Sequence, residues 1–210
     1  MPPLLKICGI TDQESFVFCD QSGVDMAGLN FCPGSPRCLE PRKALEISGS
    51  KKQIRTVAIF ADSSRENIYN VRSILNPDFI QFHGSETPDF CREFKPYIKA
   101  FRIKTIQDIK TSLDFLPEAS FLLFDAWCSL AAGGTGKTIP GELLDLLAKT
   151  VPLQKVIIAG GISIDNIQST GRIIAPAGFD LCSSLEENRG IKSIKRIENF
   201  LKIFREIYPD

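Results

Sequence analysis

Lys6 and Cys8 stand two residues apart in LLKICGI (4–10), so on an extended segment their side chains leave the same face. An ammonium near a thiol favours the thiolate and lowers the cysteine from its ordinary pKa of about 8.5, which would make Cys8 a base or a nucleophile at neutral pH. The plainer alternative is a buried thiol beside a lysine that snorkels outward. Asp125 follows the apolar run FLLF (121–124), where an ionisable group must find a partner or change its pKa. It is a candidate general acid, or else a carboxylate that caps the next loop. Gln81 and His83 share one strand face in IQFHG (80–84), either as polar site residues or as satisfied core groups.

Two late segments, AGGI (159–162) and DLCSSLEE (180–187), combine glycines or small hydroxyl residues with helical sequence that follows them. Such turns let backbone N–H groups approach an anion, and helix N-termini attract negative charge. Gly160, Gly161, Ser183 and Ser184 are therefore candidate phosphate ligands, against the alternative of ordinary tight turns. GGTGK (133–137) does not make a nucleotide loop, because position 131 is alanine where GxxxxGK[ST] needs glycine. A cysteine base, a carboxylic acid and a phosphate cradle together describe proton transfer on a phosphorylated sugar, that is, isomerisation.

These residues must be carried by elements that bring them together. Eight short apolar, β-branched or aromatic runs recur: 4–10, 25–31, 54–60, 78–84, 97–103, 120–126, 155–161 and 178–184. Each is followed by a stretch readable as a helix, such as 11–21, 64–75, 163–168 or 191–207. Repeated βα units imply a parallel sheet covered on both faces. Eight units in 210 residues average about 26 each, which suits an α/β fold of the (β/α)8 TIM-barrel type, as one domain over residues 1–210. An open doubly wound sheet is the competitor, but KICGITD carries no GxGxxG after the first run. In a barrel all strands open on one active face, which gathers Lys6, Cys8, Asn30, Arg37, Asp62, Gln81, His83, Arg102, Asp125, Gly160, Gly161, Asp180, Cys182, Ser183 and Ser184. The stretch 127–140 has the glycines of a mobile lid.

Composition narrows the classes further. Lys plus Arg and Asp plus Glu are 25 each, for zero formal charge, so the positive field that nucleic-acid binding needs is missing. No apolar run approaches the roughly 18 residues of a membrane span, and MPPLLKICGI lacks the layout of a leader, so a cytoplasmic protein is expected. Seven cysteines without a CxxC pair and a single histidine give poor zinc spacing and no disulfide framework; most of the thiols are expected to be small buried hydrophobes.

KICGIT (6–11), GLNFCPGSPR (28–37), IQFHGSE (80–86), LLFDAW (122–127), GGTGKT (133–138), AGGI (159–162) and FDLCSSLEE (179–187) resemble, in this order and spacing, the phosphoribosylanthranilate isomerases of tryptophan biosynthesis. The resemblance implies a (β/α)8 barrel, without cofactor or metal, that converts N-(5-phosphoribosyl)anthranilate to 1-(2-carboxyphenylamino)-1-deoxyribulose 5-phosphate by an Amadori rearrangement. On the matching positions Asp125 is implied as the acid that protonates the ribose ring oxygen, and Cys8 as the base that removes the C2 proton. Arg37 is implied to hold the anthranilate carboxylate. The amides of Gly160, Gly161, Ser183 and Ser184 are implied to hold the phosphate, with Asp180 orienting groups nearby and Gln81 and His83 lining the substrate. A small phosphorylated sugar is the implied partner, with no nucleic acid or membrane, and the protein is a monomer or homodimer.

Three positions depart from that pattern. Cys182 stands at a serine and Ser184 at a glycine of DVSSGVE, where a side chain would strain any turn that needs positive φ; Gly141 stands where a tryptophan is common. Rival readings are a related synthase, which would want a lysine acid and a glutamate base at strand ends, a metal-dependent epimerase, which would want several histidines, and a non-catalytic phosphate-binding barrel.

Overall fold

Each of the eight apolar runs becomes a strand in the computed structural model, which describes residues 2–126 and 138–209. The strands are β1 (Leu4–Cys8), β2 (Met26–Asn30), β3 (Arg55–Phe60), β4 (Phe79–Phe82), β5 (Tyr97–Ile103), β6 (Phe121–Ala126), β7 (Val156–Ile158) and β8 (Gly178–Leu181). They pair in parallel in chain order, and β8 returns to β1, so the sheet closes into a barrel. Closure leaves no edge strand in the sheet.

Side-chain alternation divides the core into two. Met26, Val57, Ile59, Ile98, Ala100, Leu123, Ile157 and Ala159 fill the barrel interior, with Cys8 packed against them. The opposite faces pack outward against the helices, as Ile7, Phe60, Phe82, Phe124 and Phe179 do. The helices are α1 (Gln13–Gln21), α2 (Pro41–Ser48), α3 (Arg65–Leu75), α4 (Pro88–Arg92), α5 (Ile106–Ser112), α6 (Gly141–Thr150), α7 (Ile167–Ile174) and α8 (Ile194–Ile207). Caps set their starts. The carboxylate of Asp12 accepts from the Ser15 amide at 2.7 Å, and the Ser64 hydroxyl accepts from the Asn67 amide at 3.2 Å, satisfying donors that a helix start leaves free.

Three local expectations need correction. Helix α7 begins at Ile167 rather than Ser163, because the Asn166 side chain ties up the preceding turn. It accepts from the Ser163 amide at 3.0 Å and donates to the Gly161 carbonyl at 2.7 Å. Helix α8 begins at Ile194 rather than Ile191, since residues 191–192 form β10, which pairs antiparallel with β9 (Glu186–Asn188) around Gly190 at φ +89°. Of the six described cysteines, only Cys19 and Cys91 are buried; Cys8, Cys32 and Cys182 are half-buried and Cys38 is exposed, and all six are free thiols. No described helix is long and apolar enough to cross a membrane.

Candidate active site

The closing seam between β1 and β8 builds one side of the barrel mouth. Its register pairs Lys6 with Asp180 and Ile7 with Leu181, so Cys8 and Cys182 follow next to each other at the strand ends. Lys6, 1 % exposed, donates to Asp180 Oδ1 at 3.0 Å. Burial pulls the Lys6 ammonium down, but Asp180 and the nearby thiols outweigh it and leave it raised. Asp180 was expected near the phosphate; instead its carboxylate, which carries no donor when ionised, is engaged by Lys6 inside the barrel. Burial raises its pKa, with Lys6 acting against that and the charge of Asp125 adding to it.

The expected lowering of Cys8 by Lys6 is present but loses. The hydrogen bond to Cys182 and burial push the Cys8 thiol well above its ordinary value, and Lys6 offsets only part of this. Cys182 moves the other way. Its hydrogen bond from Cys8, and the cations Lys192 and Arg37, bring it down to about 7 against the cost of burial.

Asp125 is the next-to-last residue of β6, and His83 sits one residue past β4 with Nε2 at 3.5 Å from Asp125 Oδ2. His83 Nε2 and the oxygen of buried Gln81 are without hydrogen-bond partners among the described residues. Gly160 backs Asp125. A Cβ at this position would lie 2.5 Å from Asp125 Oδ1 and 2.4 Å from the Ala126 amide nitrogen, and its φ is +79°, so glycine is required on both counts. Gly161 follows at φ +65°. The backbone amides of Gly160, Gly161, Ser183 and Ser184 donate to no other described backbone group. Ser184 lies in a 3-10 turn (183–185) and is not among the positive-φ residues, so the strain expected from a side chain at this position does not arise. Its hydroxyl is buried and has no hydrogen-bond partner among the described residues.

Arg37 comes from the loop after β2. Its guanidinium donates twice to Glu186, Nε to Oε1 at 2.6 Å and Nη2 to Oε2 at 2.7 Å, a bidentate pair that fixes the plane of the fork. Its other three donors have no partner among the described residues. Lys192 Nζ reaches Glu186 Oε1 at 3.0 Å, the Cys182 carbonyl at 2.9 Å and Cys182 Sγ at 3.7 Å. Burial would raise Glu186, but Arg37 and Lys192 hold it down at about 2. Glu186 and Lys192 were missed in the sequence. Glu186 stands four residues after Cys182 inside a quoted motif, which could have exposed it; Lys192 carries no such signal.

The other strand-end residues serve locally. Asn30 Oδ1 accepts from the Cys32 amide at 2.7 Å, and Asp62 Oδ1 accepts from the Ser85 amide at 2.6 Å. Arg102 lies opposite Asp125 in the β5–β6 register. The lid expected over 127–140 falls mostly outside the described residues, and GGTGK (133–137) wholly so. Gly141 opens α6 with open space where a Cβ would point. Among the described residues no group of three His, Cys, Asp or Glu side chains could hold a metal ion.

The chain is similar to known proteins. The family described as N-(5'-phosphoribosyl)anthranilate (PRA) isomerase matches residues 5–203. A Neisseria meningitidis protein of that name is 35 % identical over 198 residues, covering 93 % of each chain. A Thermoanaerobacter relative is 34 % identical over 206 residues, covering 97 % of this chain and 98 % of its own. The solved Thermotoga maritima phosphoribosyl anthranilate isomerase superposes with TM-score 0.88 at 27 % identity over 97 % of this chain and 99 % of the other. Another solved isomerase, in complex with reduced 1-(o-carboxyphenylamino)-1-deoxyribulose 5-phosphate, gives 0.84 at 25 % identity over the same shares.

Proposed function

The chain belongs to the N-(5'-phosphoribosyl)anthranilate isomerase family, and from that premise we propose that Cys8 and Asp125 are the base and the acid of its reaction. The activity is the Amadori rearrangement of N-(5'-phosphoribosyl)anthranilate. Asp125 gives its proton to the ribose ring oxygen, and the ring opens to a Schiff base. Cys8 removes the C2 proton, and the C2 electrons move towards C1 and nitrogen to form an enolamine, which tautomerises to the ketone. Proton transfer by placed groups of this kind contributes typically about 10² to 10⁴ in rate.

The observation that supports this reading most is the backing of Asp125 by Gly160. Asp125 Oδ1 lies 2.5 Å from where a Cβ on Gly160 would stand, next to a residue whose backbone amide suits a phosphate. The amides of Gly160, Gly161, Ser183 and Ser184 then hold the phosphate, and the free donors of Arg37 take the anthranilate carboxylate, its fork pre-set by Glu186. Gln81 and His83 line the sugar between them. All these residues lie on one chain, and its free thiols suit the reducing cytoplasm.

The test follows the loss of fluorescent substrate. Cys8→Ser and Asp125→Asn are each expected to lower kcat by at least about 10²-fold with KM little changed. Turnover near wild type in either variant removes that residue from its role.

A further inference from the structure

On the helix side of the sheet, behind the end of β4, a lysine and a glutamate are buried together. Ile98 and Ala100 face the barrel interior, so Lys99 between them turns outward, where it stands beside Phe82 in the β4–β5 register. Its Nζ meets Glu86 Oε2 at 2.9 Å, and the two side chains are only 3 % and 4 % exposed. The ring centroids of Phe101 and Phe115 lie 5.6 and 5.7 Å from the same ammonium. A buried pair adds little stability over apolar side chains of the same volume, but with its remaining hydrogen-bonding sites filled it makes its surroundings rigid.

What this pair grips is the main chain that follows His83. The Gly84 amide donates to Glu86 Oε2 at 3.0 Å, and the Gly84 carbonyl accepts from Lys99 Nζ at 2.6 Å, so both polar groups of one residue are held. Glu86 Oε1 accepts from the Asp62 amide at 2.8 Å, and Asp62 Oδ1 from the Ser85 amide at 2.6 Å. Asp62 takes a left-handed φ of +51°, uncommon outside glycine, and a Cβ on Gly84 would stand 2.5 Å from its amide nitrogen. Before Gly84, the His83 amide donates to the Phe60 carbonyl at 2.8 Å. The backbone is thus fixed at His83 and directly after it.

The His83 imidazole carries that fixed position to Asp125. Its Nε2 is buried, has no hydrogen-bond partner among the described residues and stands 3.5 Å from Asp125 Oδ2. The other carboxyl oxygen, Oδ1, faces Gly160, 2.5 Å from where a Cβ there would be. One oxygen is therefore bounded by His83 and the other by Gly160. We infer that Lys99 and Glu86 are positioning residues: by holding Gly84 from behind the sheet they keep the His83 imidazole against Asp125, and so keep the Asp125 carboxyl in the orientation from which it gives its proton. This rests on Asp125 being the acid. The length of the relay is one residue of main chain and one side chain, and a shift of about 1 Å in a reacting group is enough to cost on the order of 10²-fold in rate.

His83 is the only histidine in the chain, so its imidazole Cε1–H resonance is identified in an NMR spectrum without assignment. The experiment compares the intact wild type with Lys99→Met and with Lys99→Met plus Glu86→Gln, a pair of changes that leaves no lone charge buried; thermal melting checks the folding of each. In the wild type, Asp125→Asn is expected to shift the imidazole resonance. In the Lys99 variants the resonance leaves its wild-type position and no longer responds to Asp125→Asn. kcat/KM falls at least about tenfold in His83→Ala and in the Lys99 variants, and His83→Ala added to Lys99→Met lowers it no further, because both changes remove the same contact. A merely structural pair would leave the resonance in place and its loss would multiply with that of His83→Ala. Either result beside an inactive Asp125→Asn overturns the positioning role alone, as does a paired variant that fails to fold. Full turnover in Asp125→Asn overturns the acid assignment and the positioning role together.

Discussion

Gly160 shows how much of a catalytic arrangement can depend on a missing side chain. Its φ of +79° is costly for any other residue, and a methyl group there would meet Asp125 Oδ1 at 2.5 Å and the Ala126 amide nitrogen at 2.4 Å. Gly160→Ala is therefore expected to lose about 1–3 kcal/mol of stability and to lower kcat at least about tenfold, because Asp125, the proposed acid, is displaced from its place beside Gly160. Urea unfolding and steady-state kinetics check the two arms; a variant with normal kcat would show that Asp125 does not depend on this contact. At this scale the sequence was readable where chemistry coincides with a local signal. Cys8 beside Lys6, Asp125 after an apolar run, and glycines at a turn can all be seen within a few residues. The direction of the Cys8 shift was not readable, since its largest cause is a sulfur 174 positions away, and Lys6 alone argued for the opposite sign.

Among the elements, the seam between β1 and β8 carries an ion pair inside the barrel, Lys6 with Asp180 at 3.0 Å. Removing one member leaves the other unpaired in the interior, so Lys6→Met is expected to cost about 3–5 kcal/mol. The double replacement Lys6→Met with Asp180→Leu should recover most of that loss, since a buried pair is worth little more than well-packed apolar side chains. Urea midpoints of the single and double variants decide it; a double variant no more stable than the single one would show that the pair is not an isolated unit. The strands themselves were legible from their apolar runs, and the helical stretch 64–75 placed the start of α3 within one residue. The starts of α7 and α8 were not, because Asn166 bonds back into its own turn and residues 191–192 join a short antiparallel pair. Both are side-chain or long-range events that helical periodicity does not register.

For the molecule as a whole, Glu186 ties the loop after β2, the end of β8 and the β9–β10 pair together through Arg37 and Lys192. Its carboxyl is held at about 2, below its ordinary value of about 4.5. A group whose folded pKa is depressed contributes its full stability above the ordinary value and loses it as pH falls through the folded one. The wild-type melting temperature is therefore expected to fall as pH drops from 4.5 towards 2, and Glu186→Gln, though less stable at neutral pH, should lack that part of the slope. Identical slopes would remove Glu186 as the source. The closed barrel was legible because eight runs, each followed by helical sequence, leave few ways to bury both faces of every strand. What the runs could not say is which charges meet once the circle closes. Lys6 and Asp180 are 174 residues apart in the chain, so β1 meets its counter-charge only after the barrel's other strands have been made. A nascent polypeptide still attached to the ribosome thus holds Cys8 without Cys182, Arg37 without Glu186, and an open sheet edge, and catalysis begins only when translation has delivered the last strand.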